Sequence, residues 1–267
     1  MKPLELLYER PGLPAFELPE RLASLYPGSI GFESPRLFAN FVATADGAVA
    51  IPSVEQSNKL IAAGSRADRF VMGLLRACAD AVVLGSGTLA ASPGGRWTPR
   101  QAFPDAAADY DALRASLGLA PVPEVVILSA TGALDPSHPL FEEGAVVLTT
   151  EIGRTLLGDR LPAASTVVSL GPGTVLDPTA AVGALRARGH RLILHEGGPH
   201  AIGSFFAAGA VDDLFLTISP LLVGRTLVDP RFSLVEGGDL LPGVRMELLG
   251  LRRDDDHLFV HYGILQP

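Results

Sequence analysis

The chain has 267 residues, 48% of them apolar, a formal net charge of −8 and a positive mean hydropathy of +0.31. That is enough apolar material for a buried core in one large α/β domain or two small ones, and the acidic balance argues against nucleic acid as the main partner, because phosphate neutralisation needs clustered Lys and Arg. The lone cysteine, Cys78, excludes an intrachain disulfide and any Cys-rich zinc site.

Residues 1–35 are rich in proline and read as an irregular lead-in with one short helix. That helix opens at Pro19, a favoured first helical position, and stops by Tyr26 before Pro27-Gly28. The acids of the first ten residues interrupt the apolar run a signal peptide needs, and no stretch approaches the roughly 18 apolar residues of a membrane span, so a cytoplasmic protein without membrane partners is expected. From residue 36 to 267 a single domain is expected. Residues 36–43 read as the first core strand and 54–60 as a polar loop. Helical spacing of Phe70, Val71, Leu74, Leu75 and Cys78 marks a helix over 68–79 and makes Cys78 a buried structural thiol. Next come a buried strand at 81–84, a Pro/Arg-rich loop at 96–104 and a helix at 110–117. Strands follow at 124–128, 145–148 and 166–170. A helix at 179–188 is entered after Pro178 and stopped by Gly189, and a strand at 191–194 leads to a helix at 200–208.

This alternation predicts a mostly parallel sheet with helices on both faces. The last third changes character: strands at 213–219, 246–251 and 257–262 have no helix between them, and the turn 252–256 makes the final two a hairpin. The sheet is therefore expected to be mixed, with antiparallel strands at one edge. An apolar exposed edge invites pairing, so a homodimer across it is expected.

His195-Glu196-Gly197-Gly198-Pro199-His200 is the most informative stretch. A short apolar strand runs into two glycines and then a helix, so unpaired N–H groups at the helix start suit a phosphate, with Glu196 beside them. The same residues also fit a plain tight turn with a solvated acid. Gly85-Ser86-Gly87-Thr88-Leu89-Ala90 fits the loose Gly-x-Gly-x-x-Ala pattern after strand 81–84. It lacks the acidic strand end about 20 residues on that a ribose contact needs, and the stretch after it reads as loop. Thr88 would donate a hydroxyl and Arg96 would pair an anion bidentately; an ordinary turn with a solvated arginine is the alternative. Asp46, before Gly47, is either a turn residue or, at a strand end, a ligand-facing acid. No Gly-x-Ser-x-Gly elbow, P-loop or His-Glu-x-x-His occurs, which argues against triad hydrolysis, P-loop ATP chemistry and a zincin site; no metal is expected. Of His195 and His200, one is expected beneath the sheet and the other at the surface.

Four blocks fall in a specific order: Asn40-Phe41-Val42-Ala43-Thr44-Ala45-Asp46-Gly47; residues 74–88, from Leu74-Leu75-Arg76 to Gly85-Ser86-Gly87-Thr88; Glu196-Gly197-Gly198-Pro199; and residues 211–224, from Val211-Asp212-Asp213 to Leu222-Val223-Gly224. Together they resemble the reductase domain of the bifunctional riboflavin-biosynthesis deaminase–reductase family, over residue 36 to the end. The resemblance implies a three-layer, dihydrofolate-reductase-like α/β fold and an NADPH-dependent reductase. The implied reaction converts 5-amino-6-(5-phosphoribosylamino)uracil to its ribitylamino product by hydride transfer to ribosyl C1′. Carried over by position, Ala43, Gly85, Gly87, Thr88 and Ser129 are implied cofactor contacts. So are Gly197, Gly198, Pro199, His200, Ala201, Ile202, Gly203 and Ser204, the pyrophosphate turn and helix start. Glu196 is implied as a substrate contact and, with Asp46, as catalytic, Asp46 polarising the substrate or relaying a proton. Asn40, Ser57 and Asn58 would line the pyrimidine end, and Arg96 would hold the phosphate.

The chain departs from that pattern in lacking the zinc-deaminase motifs and in reading Ala91-Ser92-Pro93-Gly94-Gly95-Arg96 where the bifunctional enzymes carry acids. The loop 48–60 also lacks the family's tryptophan. It looks more like the free-standing pyrimidine-reductase-like branch, so the substrate is a phosphorylated pyrimidine or a pterin-like heterocycle. A dihydrofolate- or pterin-type reductase and a catalytically silent nucleotide-binding relative stand as alternatives.

Overall fold

Short β-branched runs and amphipathic stretches with clear caps alternate along the chain, and each becomes an element. The computed structural model describes residues 1–265. In chain order it begins with β1 (Glu5–Glu9), α1 (Glu20–Leu25), β2 (Arg36–Thr44), α2 (Ser57–Ile61), α3 (Arg66–Cys78) and β3 (Ala81–Gly85). Then come α4 (Ser86–Ala90), α5 (Pro99–Ala102), a 3₁₀ turn (Pro104–Ala106), α6 (Ala107–Ser116), β4 (Glu124–Leu128), α7 (Leu140–Glu143) and β5 (Val146–Thr149). The chain closes with α8 (Glu151–Leu157), β6 (Thr166–Ser169), α9 (Pro178–Ala187), β7 (Leu192–His195), α10 (Pro199–Ala207), β8 (Asp213–Ser219), β9 (Met246–Asp254) and β10 (His257–Ile264).

All ten strands form one sheet in the order β1-β9-β10-β8-β2-β7-β3-β4-β5-β6. From β8 to β6 neighbours run parallel; β10, β9 and β1 add antiparallel. Helices cover both faces, giving the expected three-layer mixed α/β arrangement. On one face α1, α3 and α6 bury Leu22, Phe70, Leu74, Leu75 and Tyr110 against Phe38, Val82 and Ile127. On the other, α9 and α10 bury Leu185, Ile202 and Phe205 against Leu37, Val83 and Ile193. Phe70, Leu74 and Leu75 are fully buried, each contributing on the order of 2 kcal/mol. Ser65 caps α3, its Oγ accepting from the Asp68 N–H at 3.0 Å. No described helix is long and apolar enough to cross a membrane.

Three local expectations need correction. The lead-in holds not only α1, where expected, but also β1, which lies outside β9, so the C-terminal hairpin is not the sheet's edge. Residues 57–61, read as loop, form α2, with Ser57 Oγ accepting from Ile51 N–H at 3.1 Å. The loop 96–104 contains α5, capped by Thr98 and opened by Pro99. The Gly-x-Gly segment forms α4, after which the chain turns into loop as expected.

Candidate active site

The two glycine motifs emerge side by side because β7 and β3 are parallel neighbours, paired through Val83 and His195. Gly85 is the N-cap of α4 and Gly198 that of α10, and neither helix has a side-chain cap bond. Their first-turn N–H groups are the kind of donors that take an anion. A Cβ at Gly197 would lie 2.7 Å from His195 Cε1 and 3.1 Å from Gly85 N, so close packing requires that glycine. Gly198 differs: its φ is an ordinary −69°, and a Cβ there would meet only Thr88 Oγ1, at 3.6 Å. At Gly87 a Cβ would meet nothing within 4 Å. Neither backbone conformation nor packing demands glycine at these two positions, which leaves an open cradle on the rim.

Two buried groups complete this side. Ser129 follows β4; its backbone ties to β5 through Leu148 O at 3.0 Å and Thr149 Oγ1 at 2.6 Å, while its hydroxyl is buried without a partner among the described residues. His195 lies beneath the turn, fully buried, with Nδ1 accepting from Gly197 N–H at 3.2 Å and its ring 4.8 Å from that of Phe205. Burial pulls this imidazole down to about 3, so it is neutral. Backbone donors, a cradle without Cβ atoms and an orphaned hydroxyl together fit a dinucleotide pyrophosphate.

Glu196, one residue on, turns to the α3 face. Arg76 of α3 grips its Oε2 through Nε at 2.9 Å and Nη2 at 2.7 Å, while Asn40 Nδ2 donates to Oε1 at 3.3 Å. Both charged side chains are buried, so Glu196 is fixed by a paired contact in which two guanidinium N–H groups converge on one carboxylate oxygen. Asp68, also on α3, is 5% exposed and accepts from the Thr217 hydroxyl of β8. Burial raises its carboxyl to about 6, against the pull of Thr217 and His257, with the Glu196 charge adding to the rise. At the end of β2, Asp46 accepts from Thr44 Oγ1 at 2.5 Å and Gly224 N at 2.8 Å, with Val223 N further off at 3.3 Å. Those donors, Thr44 first, hold its carboxyl below the usual range, so Asp46 is ionised and anchors the segment after β8.

The rim thus gathers Asn40, Ala43 and Asp46 on β2 and the turn after it, Gly85 to Thr88, Ser129, and Glu196 to Ala201. Other expected contacts are spent elsewhere. Ile202 is core, and a Cβ at Gly203 would lie 3.0 Å from Glu236 O, so both serve the packing of α10. Ser204 is exposed and its hydroxyl donates to Ala201 O at 2.8 Å. Exposed His200 sets its ring against Phe232, 5.1 Å away, and supplies only backbone to the turn. Arg96, expected to hold a phosphate, is half-exposed and pairs at the surface with Glu143 at 2.5 Å. Ser57 is committed to Ile51 N–H, and Asn58 is exposed on α2.

Sequence reading passed over Arg76, Asp68 and Thr217. Arg76 stands within the otherwise apolar second half of α3, residues 70–78, and a charge there is itself a signal, because it must find a partner. Asp68 was masked by Ser65-x-x-Asp68, which reads as a capping pattern.

Against known proteins, the RibD C-terminal domain family matches residues 35–260. The comparison with curated proteins found no match. Among solved structures, a pyrimidine reductase-like protein from Corynebacterium diphtheriae is 23% identical with a TM-score of 0.70, over 87% of this chain and 93% of that one. Acinetobacter baumannii RibD is 19% identical, TM-score 0.63, over 87% of this chain and 59% of that one. The Thermotoga maritima diaminohydroxyphosphoribosylaminopyrimidine deaminase/5-amino-6-(5-phosphoribosylamino)uracil reductase is 20% identical, TM-score 0.61, over 87% and 57%. The chain thus spans little more than half of those last two chains, while matching the pyrimidine reductase-like protein almost end to end. With the family's match running over most of the domain, from the strand that carries Asn40 to the final hairpin, this chain belongs to the RibD C-terminal domain family.

Proposed function

We propose that the protein is an NADPH-dependent oxidoreductase that reduces a phosphoribosylaminopyrimidine, 5-amino-6-(5-phosphoribosylamino)uracil, at ribosyl C1′. The observation that carries this reading is the meeting of Gly198 and Thr88 on one rim, with glycines at 87 and 198 that the fold itself does not need. Gly198 to Ala201 and Gly85 to Thr88 would hold the pyrophosphate through N–H groups and the Thr88 hydroxyl, and Ser129 would use its free hydroxyl on the same cofactor. NADPH, when bound, supplies the hydride; the protein's own part is alignment and charge. Glu196, locked by Arg76 and Asn40, presents a fixed acceptor to the substrate. Ionised Asp46 suits polarising the substrate rather than donating a proton, because its three donors hold it deprotonated. Preference for NADPH over NADH, and a homodimer across the sheet's antiparallel edge, belong to this reading by family resemblance; that edge is β1, which exposes Leu6, Leu7 and Tyr8.

Asp68 favours a second reading, reduction of a dihydropterin. A buried carboxyl near neutrality, steadied by Thr217, matches the two adjacent N–H donors that a 2-aminopterin edge presents. In the ribosylaminopyrimidine a comparable pair, N1–H with the 6-amino N–H, lies at the edge that carries the ribose. Calorimetric titration with NADPH followed by steady-state assays on both substrates separates the readings. Binding with turnover of the ribosylaminopyrimidine supports the first, and turnover of the pterin alone supports the second. Absence of NADPH binding overturns both and leaves a catalytically silent relative.

A further inference from the structure

Between β8 and β9 the chain leaves the sheet over residues 220–245 and forms a strap fastened to both halves of the candidate site. The first fastening is at Asp46. Ala45 N–H donates to Leu221 O at 2.9 Å, and the Asp46 carboxylate accepts from Gly224 N–H at 2.8 Å and Val223 N–H at 3.3 Å. The second is on the turn into α10. Phe232 pairs by its backbone with Ala50 and sets its ring 5.1 Å from that of His200, and Glu236 N–H donates to Pro199 O at 3.4 Å. Asp229, which accepts from the Ser53 hydroxyl and pairs with Arg231 at 2.7 Å, holds the strap where it rejoins the body.

Residues 225–228, between these fastenings, are all exposed. Thr226 Oγ1 accepts from Asp229 N–H at 3.0 Å and closes a tight turn, at whose tip Leu227 and Val228 stand fully in water. At its foot Gly224 adopts φ +63°, a left-handed conformation that glycine takes without strain. A closed turn on a permissive foot is the build of a flap on a hinge. Single exposed apolar residues are ordinary on a surface. These two are adjacent, add no packing to the free protein, and ride on a strap whose ends are the candidate substrate acid and the candidate cofactor helix. We propose that residues 224–229 are a lid, hinged at Gly224, that closes over the rim when NADPH is bound, lowering Leu227 and Val228 onto the reacting ends and shutting out water. The inference rests on the reading of that rim as a cofactor and substrate site.

The Arg225–Thr226 bond lies within the lid and is exposed, so trypsin reads the state of the lid. The test is limited digestion of the whole protein with and without saturating NADPH, with binding measured by calorimetry on the same samples. NADPH is expected to slow cleavage after Arg225 at least about tenfold. Cleavage after Arg188, exposed in the turn between α9 and β7 at the opposite end of the sheet, should keep its rate. The double variant Leu227→Ser with Val228→Ser should melt as its parent does, because both side chains are already in water, yet lose the protection of Arg225. NADPH binding with no change in cleavage after Arg225, or full protection in the double variant, would overturn the lid alone. So would protection that grows with protein concentration in the absence of NADPH, which would set the tip against a second copy. Absence of NADPH binding would overturn the reading of the rim, and the lid with it.

Discussion

At the scale of single residues, Asp68 shows how stability and chemistry pull apart. Thr217, His257, Glu196 and Arg69 surround its carboxyl, and burial outweighs the groups that favour the anion. Because its folded pKa of about 6 lies above the ordinary 3.8, the folded chain binds this proton more tightly than the unfolded one. Its contribution to stability is therefore most favourable at low pH and declines as pH rises from 3.8 through about 6, a penalty of roughly 3 kcal/mol once the carboxyl is ionised. Asp68→Asn removes that penalty. Thermal melts should find the variant near its parent at pH 4 and more stable at pH 8, by up to about 3 kcal/mol. Steady-state kinetics of the same variant should show lower kcat, the pattern of a residue kept for chemistry at the expense of stability. Unchanged kcat would remove Asp68 from the substrate site. Glu196 was legible in the sequence because it adjoins two glycines, whereas Arg76, its holder, comes from 120 residues upstream and only the fold brings them together.

At the scale of elements, the turn into α10 separates two kinds of glycine that look alike in sequence. A methyl group at Gly197 runs into His195 and the Gly85 backbone, whereas one at Gly198 finds ordinary contact. Gly197→Ala is expected to cost about 1–3 kcal/mol of stability through overpacking. Gly198→Ala should stay within about 0.5 kcal/mol of the parent yet lose at least about tenfold in NADPH affinity. Melts and calorimetry on both variants read these out, and equal destabilisation would mean that Gly198 serves packing alone. Strands were the most readable elements: residues 124–128 and 213–219 coincide with β4 and β8, because short β-branched runs between turn residues leave few alternatives. Short helices were not. α8 went unpredicted although Thr150 caps it and Gly158 ends it, for Gly153 breaks its pattern. That glycine is there because a Cβ would strike Thr149 Oγ1 and Ala130 O, contacts that exist only in three dimensions.

At the scale of the whole molecule, the N-terminal 35 residues are woven into the sheet. Glu9 on β1 pairs with Arg252 of β9 at 2.9 Å and accepts from Ser29 N–H at 2.6 Å. Arg252 is 1% exposed, donates to Pro27 O at 2.8 Å and lies 3.9 Å over the Tyr26 ring. One ion pair therefore ties β1, the turn after α1 and β9 together. Glu9→Ala leaves Arg252 buried without its carboxylate and is expected to lower stability by about 3 kcal/mol, with NADPH affinity unchanged. A denaturant melt with a parallel NADPH titration checks this. A loss under about 0.5 kcal/mol would mean that these residues are an appendage.

The sequence by itself determined the alternating strand and helix order, the antiparallel C-terminal strands and the two glycine turns at adjacent strand ends. Each of these is written in local periodicity and in residues with restricted or unusually free backbones. Only the tertiary structure decided that β1 closes the sheet, that Arg96 lies beside Glu143 and that Arg76 and Asp68 join Glu196 on one face. Ion pairs and buried acids of that kind depend on which distant segments pack together, and a buried charge takes whichever partner the fold supplies.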